Sequence, residues 1–174
     1  MKNTCTVATA YLTLILLVST ALAAEVPQPI AVPVAGWLER AQILPEDIVL
    51  EAKLDTGSRT SSLHAVNLRQ FRRDGKDWVA FDVTGDDRRS VRIERPVVRI
   101  VRIKSALGAD DGRPTIKLGI CIGSVYRTTE VNLVDRSSLT RPLLIGRRFL
   151  GSRLRVDVSR HHLLEPICSG KAAP

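Results

Sequence analysis

Ala52-Lys53-Leu54-Asp55-Thr56-Gly57-Ser58 is the stretch on which the reading of this chain turns. The run Ile48 to Leu54 has the alternation of a strand, and the small polar run Thr60-Ser61-Ser62 follows the Asp-Thr-Gly. Gly57 lets the backbone turn where a side chain would clash. Thr56 can tie its hydroxyl to backbone and hold the loop. Ser58 can donate a hydrogen bond to the Asp55 carboxylate, which favours its charged form. A carboxylate braced on a tight loop at a strand end is placed for acid–base work. The triplet gains meaning from a second motif, Leu143-Leu144-Ile145-Gly146-Arg147, about ninety residues further on.

One carboxylate does not complete such a site. Acid–base hydrolysis of a peptide by carboxylates needs two facing one water, sharing a proton because like charges that close cannot both ionise. No other Asp in the chain is followed by Thr-Gly or Ser-Gly; Asp82, Asp135 and Asp157 all lack it. The second carboxylate is therefore expected from another copy, in a two-fold homodimer with both Asp55 side chains at its axis.

Working outward, the short strands and turns predict an all-β barrel or sandwich. Strands are expected over Trp37 to Leu44, Ile48 to Leu54, Thr60 to Leu68, Arg69 to Arg73 and Trp78 to Val83, the last two joined by an Asp74-Gly75 hairpin turn. Val91 to Ile93 reads as a short strand stopped by Pro96. Val97 to Lys104 and Pro114 to Ile122 flank a polar loop, Ser105 to Arg113. Val125 to Val134, Leu143 to Ile145 and Leu154 to Val158 complete the strands, with one helical turn at Arg147 to Leu150.

The N-terminus reads as a signal peptide over residues 1–23: Lys2, an apolar run from Val7 to Val18, and Ala21-Leu22-Ala23 as a cleavage site. The competing reading is an uncleaved anchor over Thr6 to Ala24. Cleavage implies a periplasmic or secreted protein with no stable membrane insertion. Residues 24–35, with Pro27, Pro29 and Pro33, read as a linker, 36–168 as one domain and 169–174 as a tail. Cys121 and Cys168 are compatible with one disulfide or with two buried thiols.

The formal net charge is +8. Alternation such as Arg99-Ile100-Val101-Arg102-Ile103-Lys104 fits a solvated basic strand face, and also attraction to an acidic partner. Aromatic residues are only 4% of the chain, which with export argues against nucleic acid.

These motifs carry a resemblance. Asp55-Thr56-Gly57-Ser58 followed by Leu144-Ile145-Gly146-Arg147 after a flap-like hairpin resembles the retropepsins. The run from Trp37 to Leu164 is similar to a bacterial retropepsin-like family often labelled an ATP-dependent zinc protease. The shared stretches are Ala52 to Gly57 with His64-Ala65, Val131-Asn132-Leu133-Val134-Asp135-Arg136-Ser137, and Leu144 to Leu150. The resemblance implies a retropepsin-like acid-protease β-barrel with a flap hairpin, a homodimer with one Asp55 per subunit, and aspartic-type endopeptidase activity on a peptide or protein substrate. Some members of that family are associated with ATP-grasp ligases that add amino acids to proteins, which points to trimming of acidic or modified peptides.

By the same resemblance Asp55 is the catalytic acid and base, Thr56, Gly57 and Ser58 support its loop, and Ile145 and Gly146 pack beneath it. Ser105 to Gly112 matches the flap, with Gly108 and Gly112 suited to a moving tip. The chain departs from the retropepsin pattern at Arg59, where many members carry an Asp that pairs with the Arg after the Gly. Arg147 is therefore expected to pair with Asp135, and Arg59 near the cleft to favour an acidic substrate.

No cofactor or metal is expected. H-E-x-x-H is absent, and on a strand the adjacent His161 and His162 would point to opposite faces. No Gly-rich Lys-Ser/Thr loop could cradle ATP phosphates. The alternative to a peptidase is a non-catalytic module of the same fold that binds peptide; a zinc-dependent protease is the weaker third reading.

Overall fold

The computed structural model describes residues 31–104 and 110–168. The expected signal peptide, most of the linker, the C-terminal tail and Gly108 lie outside the described residues. The strands are β1 (Val34–Gly36), β2 (Leu38–Leu44), β3 (Ile48–Leu54), β4 (Ser61–His64), β5 (Val66–Arg73), β6 (Lys76–Thr84), β7 (Ser90–Pro96), β8 (Arg99–Lys104), β9 (Asp110–Ile122), β10 (Val125–Val134), β11 (Leu143–Ile145) and β12 (Arg155–Asp157). The helix α1 is the single turn Arg147–Leu150.

The strands alternate as half-buried strands must. In β3, Ile48, Leu50, Ala52 and Leu54 face the core. In β10, Val131 and Leu133 do so, with Asn132 between them on the other face. The pairing order β10-β4-β11-β3-β2-β9 returns to its start because β9 also pairs with β10. This closes a six-stranded barrel and leaves it no free edge. Strand β8 pairs antiparallel with β9, from Arg99 opposite Thr115 to Lys104 opposite Asp110, and forms the flap-like hairpin. A second sheet, β5-β6-β7, contributes Val79, Phe81, Val83 and Ile93 to the same core as Ile43, Leu50 and Leu63. Among the described residues the observed fold is thus an all-β barrel with one short helix.

Several boundaries move for physical reasons. The Thr60–Leu68 stretch is two strands in different sheets. It breaks where Ala65 N donates to Val134 O (3.2 Å) and Asn67 takes a positive φ of 53°. Pro96 ends β7 opposite Trp78 rather than cutting it short, since a strand terminus tolerates the missing N–H. The polar loop after β8 is narrower than the composition suggests, because β9 already begins at Asp110. Val34 and Ala35, which the Pro-rich composition assigns to the linker, form β1 and pair in parallel with Arg155 and Val156.

The start and end of the domain are clamped by Glu39, a fully buried carboxylate. It accepts hydrogen bonds from the backbone N–H groups of Gly36, Leu163 and Leu164. A buried carboxylate is tolerated when donors satisfy its oxygens in this way. Beyond that clamp, Cys168 is joined to Cys121 of β9 by a disulfide with a Cα–Cα distance of 6.0 Å.

Candidate active site

Asp55 sits where β3 leaves the barrel. β3 runs parallel to β11, with Ala52, Lys53 and Leu54 opposite Leu143, Leu144 and Ile145. The last rung of that ladder is Asp55 N donating to Ile145 O at 2.9 Å, so the fully buried Ile145 sets the height of the loop. The chain then turns back on its own carboxylate. Gly57 N and Ser58 N donate to Asp55 Oδ1 at 2.8 and 3.2 Å, and Ser58 Oγ donates to Oδ2 at 2.9 Å. A Cβ on Gly57 would stand 3.1 Å from Asp55 Oδ1, so the bare glycine fits the close approach.

Partial burial pushes the Asp55 carboxyl up. The hydrogen bonds from Ser58 Oγ, Gly57 N and Ser58 N, with the charge of Lys53, outweigh it and hold the pKa below the usual aspartate value. In one copy of the chain Asp55 is therefore a carboxylate, the form that can take a proton from water.

The second motif braces the loop from beneath. Arg147 N donates to Ser58 O at 2.8 Å, and Arg148 N to Arg59 O at 3.0 Å. Gly146 N donates to Ser61 Oγ at 3.1 Å. A Cβ on Gly146 would lie 2.6 Å from Thr60 O, so no side chain fits there without moving backbone. Arg147 Nη1 reaches the carbonyls of Thr56 (2.8 Å) and Gly57 (2.6 Å). The loop's N–H groups thus turn toward Asp55 while its carbonyls turn toward Arg147. Thr56 contributes its carbonyl, and its side chain is exposed.

The expected Asp135–Arg147 ion pair does not form. Asp135 Oδ1 accepts from Ser137 N at 2.9 Å and lies 3.5 Å from His64 Nδ1, at the far end of β10. Arg147 needs no acid because two carbonyls of the loop occupy its guanidinium. Arg59 is exposed and lies immediately after the Asp55 loop. Gly112 is exposed within β9 opposite Arg102, in the arm of the hairpin rather than in a loop.

Sequence reasoning missed a side-chain relay beside this loop. Asn132 Nδ2 donates to Thr60 Oγ1 at 3.2 Å, and Thr115 Oγ1 donates to Asn132 Oδ1 at 2.7 Å. Thr115 O in turn accepts from Val98 N at 2.8 Å. The strand leaving Asp55 is thereby joined to the base of the β8–β9 hairpin. Glu130 makes a second tie, accepting from Arg99 of β8 (2.6 Å) and from Arg148 of α1. The signal in the sequence is slight: Asn132 interrupts the apolar stretch Val131 to Val134, and Thr115 stands between Pro114 and Ile116.

His161 and His162 do not diverge as they would on a strand. The segment is irregular, His162 has a φ of 51°, and the two Nδ1 atoms are 3.2 Å apart. His162 Nε2 lies 3.2 Å from Glu51 Oε1. Among the described residues no group of three or more His, Cys, Asp or Glu side chains is placed to hold a metal ion.

Residues 34–166 match the family described as "RimB-like: Retropepsin-like aspartic endopeptidase RimB". A "Probable alpha-L-glutamate ligase" from Desulfotalea psychrophila is 35% identical over 111 residues, covering 62% of this chain and 24% of that protein. A protein of the same name from Shewanella pealeana is 34% identical over 125 residues, 70% of this chain and 26% of that one. The chain thus spans about a quarter of the length of these curated relatives. Among solved structures, a Legionella pneumophila protein of unknown function, Lpg0085, is similar with a TM-score of 0.67 and 30% identity. The match covers 78% of this chain and 100% of that one.

Proposed function

Because the chain belongs to the RimB-like family of retropepsin-like aspartic endopeptidases, we propose that it hydrolyses peptide bonds with Asp55 from each of two copies facing one water across a two-fold axis. The observation that carries this reading is the loop itself. Asp55 accepts hydrogen bonds from Ser58 Oγ and from the backbone N–H groups of Gly57 and Ser58. A side chain held so firmly at an accessible strand end is built to keep one orientation through a reaction.

When two such carboxylates meet, their repulsion raises the affinity of the pair for one shared proton. The ionised member takes a proton from water. The protonated member gives its own to the scissile carbonyl oxygen as water oxygen bonds to the carbon. As the tetrahedral intermediate collapses and its C–N bond breaks, the leaving nitrogen takes the proton that the first carboxylate had drawn from water, and a hydroxyl of the intermediate gives its proton to the second, so the dyad returns to its starting state. Thr56 and Arg147 border a concavity of about 250 Å³ with Leu150, Leu154 and Val156, an apolar surface that a second copy would cover.

The substrate is proposed to be an acidic peptide. Arg59 adjoins the loop, the chain carries a net charge of +8, and the similar proteins are named glutamate ligases. The signal peptide expected over residues 1–23 and the Cys121–Cys168 disulfide favour an oxidising compartment, periplasmic or extracellular.

The test is cleavage of a peptide library by purified protein, beside Asp55→Asn and beside protein treated with EDTA. Asp55→Asn is expected to abolish cleavage with the fold intact, and EDTA to leave it unchanged. Loss with EDTA but not with Asp55→Asn contradicts the mechanism. Binding without cleavage, indifferent to Asp55→Asn, leaves the non-catalytic module.

A further inference from the structure

We propose that Arg136, held by Ser62 on the strand that leaves the Asp55 loop, is a carboxylate-binding subsite that reads one acidic group of the bound peptide. The inference rests on the peptidase reading and names what its cleft selects.

Strand β4 leaves the Asp55 loop with Ser61 and Leu63 in the core, so Ser62 lies on the opposite face. On that face Ser62 is opposite Leu144 of β11 on one side and Asn132 of β10 on the other. It is thus on the first strand out of the active-site loop, next to the relay through Thr60. The chain returns to this face just past β10 and lays Arg136 across it. Arg136 Nη1 donates to Ser62 Oγ at 2.8 Å and Nε to Arg141 O at 3.1 Å, while its backbone N donates to His64 Nδ1 at 2.9 Å.

Arg136 is only 8% exposed, yet no carboxylate in the described residues pairs with it. The adjacent Asp135 is engaged with Ser137 and His64. Arg141 carries its own partner, Glu51, at 2.9 Å. A buried cation without a counter-charge is costly to keep. The surroundings sharpen this: burial, then the nearby charge of Arg113, lower the affinity of Arg136 for its proton. Such an arrangement suits a site whose counter-charge arrives with a ligand.

A guanidinium offers five N–H donors in a planar fork. The two side-chain bonds to neutral oxygens orient it and leave donors for an incoming carboxylate. Because the fork is already fixed, little side-chain freedom is lost on binding. The chain neighbour Asp135 borders a concavity of about 230 Å³ with Gly112, Arg113 and Val134, between the hairpin arm and the end of β10, which offers room for a peptide. The carboxylate could belong to a Glu or Asp side chain or to a peptide C-terminus; the chemistry is shared.

The test uses the full chain carrying Asp55→Asn, which is to bind without cutting. The probe is a fluorescein-labelled peptide of about eight glutamates, long enough when extended to cross a cleft. It is compared with peptides bearing one Gln at each position in turn, and with the C-terminal amide. One position is expected to weaken binding about tenfold or more when its carboxylate is neutralised. If that position is internal the side chain is read; if it is the amide, the terminus is. In Asp55→Asn/Arg136→Gln the discrimination at that position should disappear, and in Arg136→Lys it should shrink, since Lys has the charge without the fork. Ser62→Ala, which frees Nη1, should weaken it should Arg136→Gln fail to fold. Failure of the glutamate peptide to bind, equal binding of all peptides, or discrimination that survives both Arg136→Gln and Ser62→Ala overturns the proposal. Cleavage by the wild-type chain with no such discrimination overturns only the subsite; selective binding with no wild-type cleavage overturns only the peptidase reading.

Discussion

Ser58 Oγ donates to Oδ2 of Asp55 at 2.9 Å, the oxygen opposite the one that receives the two backbone N–H groups. Both carboxylate oxygens are thereby held, and the charged form is favoured over the neutral one. Ser58→Ala should raise the Asp55 pKa, moving the acid limb of the pH–rate profile upward. The loss in kcat/KM should be about tenfold, the scale of one hydrogen bond to a charged group. An unchanged acid limb would mean that Ser58 does not govern this carboxylate.

Gly146 leaves no room for a methyl group against Thr60 O. Gly146→Ala should lower unfolding free energy by about 1–3 kcal/mol, as overpacking does. Urea unfolding should show a lower midpoint with the same slope. A midpoint equal to that of the wild type would show that the strand can shift at no cost.

Arg147→Lys keeps the charge and loses the fork that serves both Thr56 O and Gly57 O. The guanidinium serves the loop rather than the barrel core. Peptide cleavage should therefore fall by about ten- to a hundredfold while the melting temperature moves little. Equal losses of activity and stability would make Arg147 a general structural residue.

Glu130 bridges β8 and α1 through Arg99 and Arg148. The hydrogen bond from Arg99 comes first in depressing its pKa below the ordinary 4.5, against the upward push of burial. A depressed carboxyl adds stability that is fully present above its unfolded value and is lost as pH falls through the folded one. Stability should thus drop as pH falls below about 4.5, and Glu130→Gln should flatten that drop. Parallel pH curves for the two proteins would remove Glu130 from the account.

The Cys121–Cys168 bond closes a loop of 47 residues in sequence separation. A cross-link of that span contributes about 2–4 kcal/mol. Cys168→Ser should lower the urea midpoint accordingly, and dithiothreitol should destabilise the wild type but not the variant. Indifference of the wild type to reductant would show that the thiols are free in solution.

The Asp55 loop was legible in the sequence because its parts are local. Asp55, Gly57 and Ser58 act within three residues of one another, and Ile145-Gly146-Arg147 marks itself as a short apolar strand ending in glycine. Partners were not legible. The Asp135–Arg147 pairing failed because opposite charges in sequence carry no distance, and loop carbonyls, which sequence does not display, satisfy Arg147. The Thr60–Leu68 strand looked continuous because both halves favour extended backbone; only their different sheet partners reveal the break at Ala65. Arg136 and Asn132 were invisible as site residues because their contacts, Ser62 and Thr60, lie more than seventy positions away.

The central claim is that one active site takes an Asp55 from each of two copies. Subunit mixing tests it most directly. Wild type and Asp55→Asn are mixed at constant total concentration, allowed to exchange, and assayed on a cleavable acidic peptide. A shared dyad predicts activity that follows the square of the wild-type fraction, so an equal mixture retains about a quarter of the full rate. Activity that falls in simple proportion, with about half remaining in the equal mixture, would place a complete catalytic site in each chain and contradict the account.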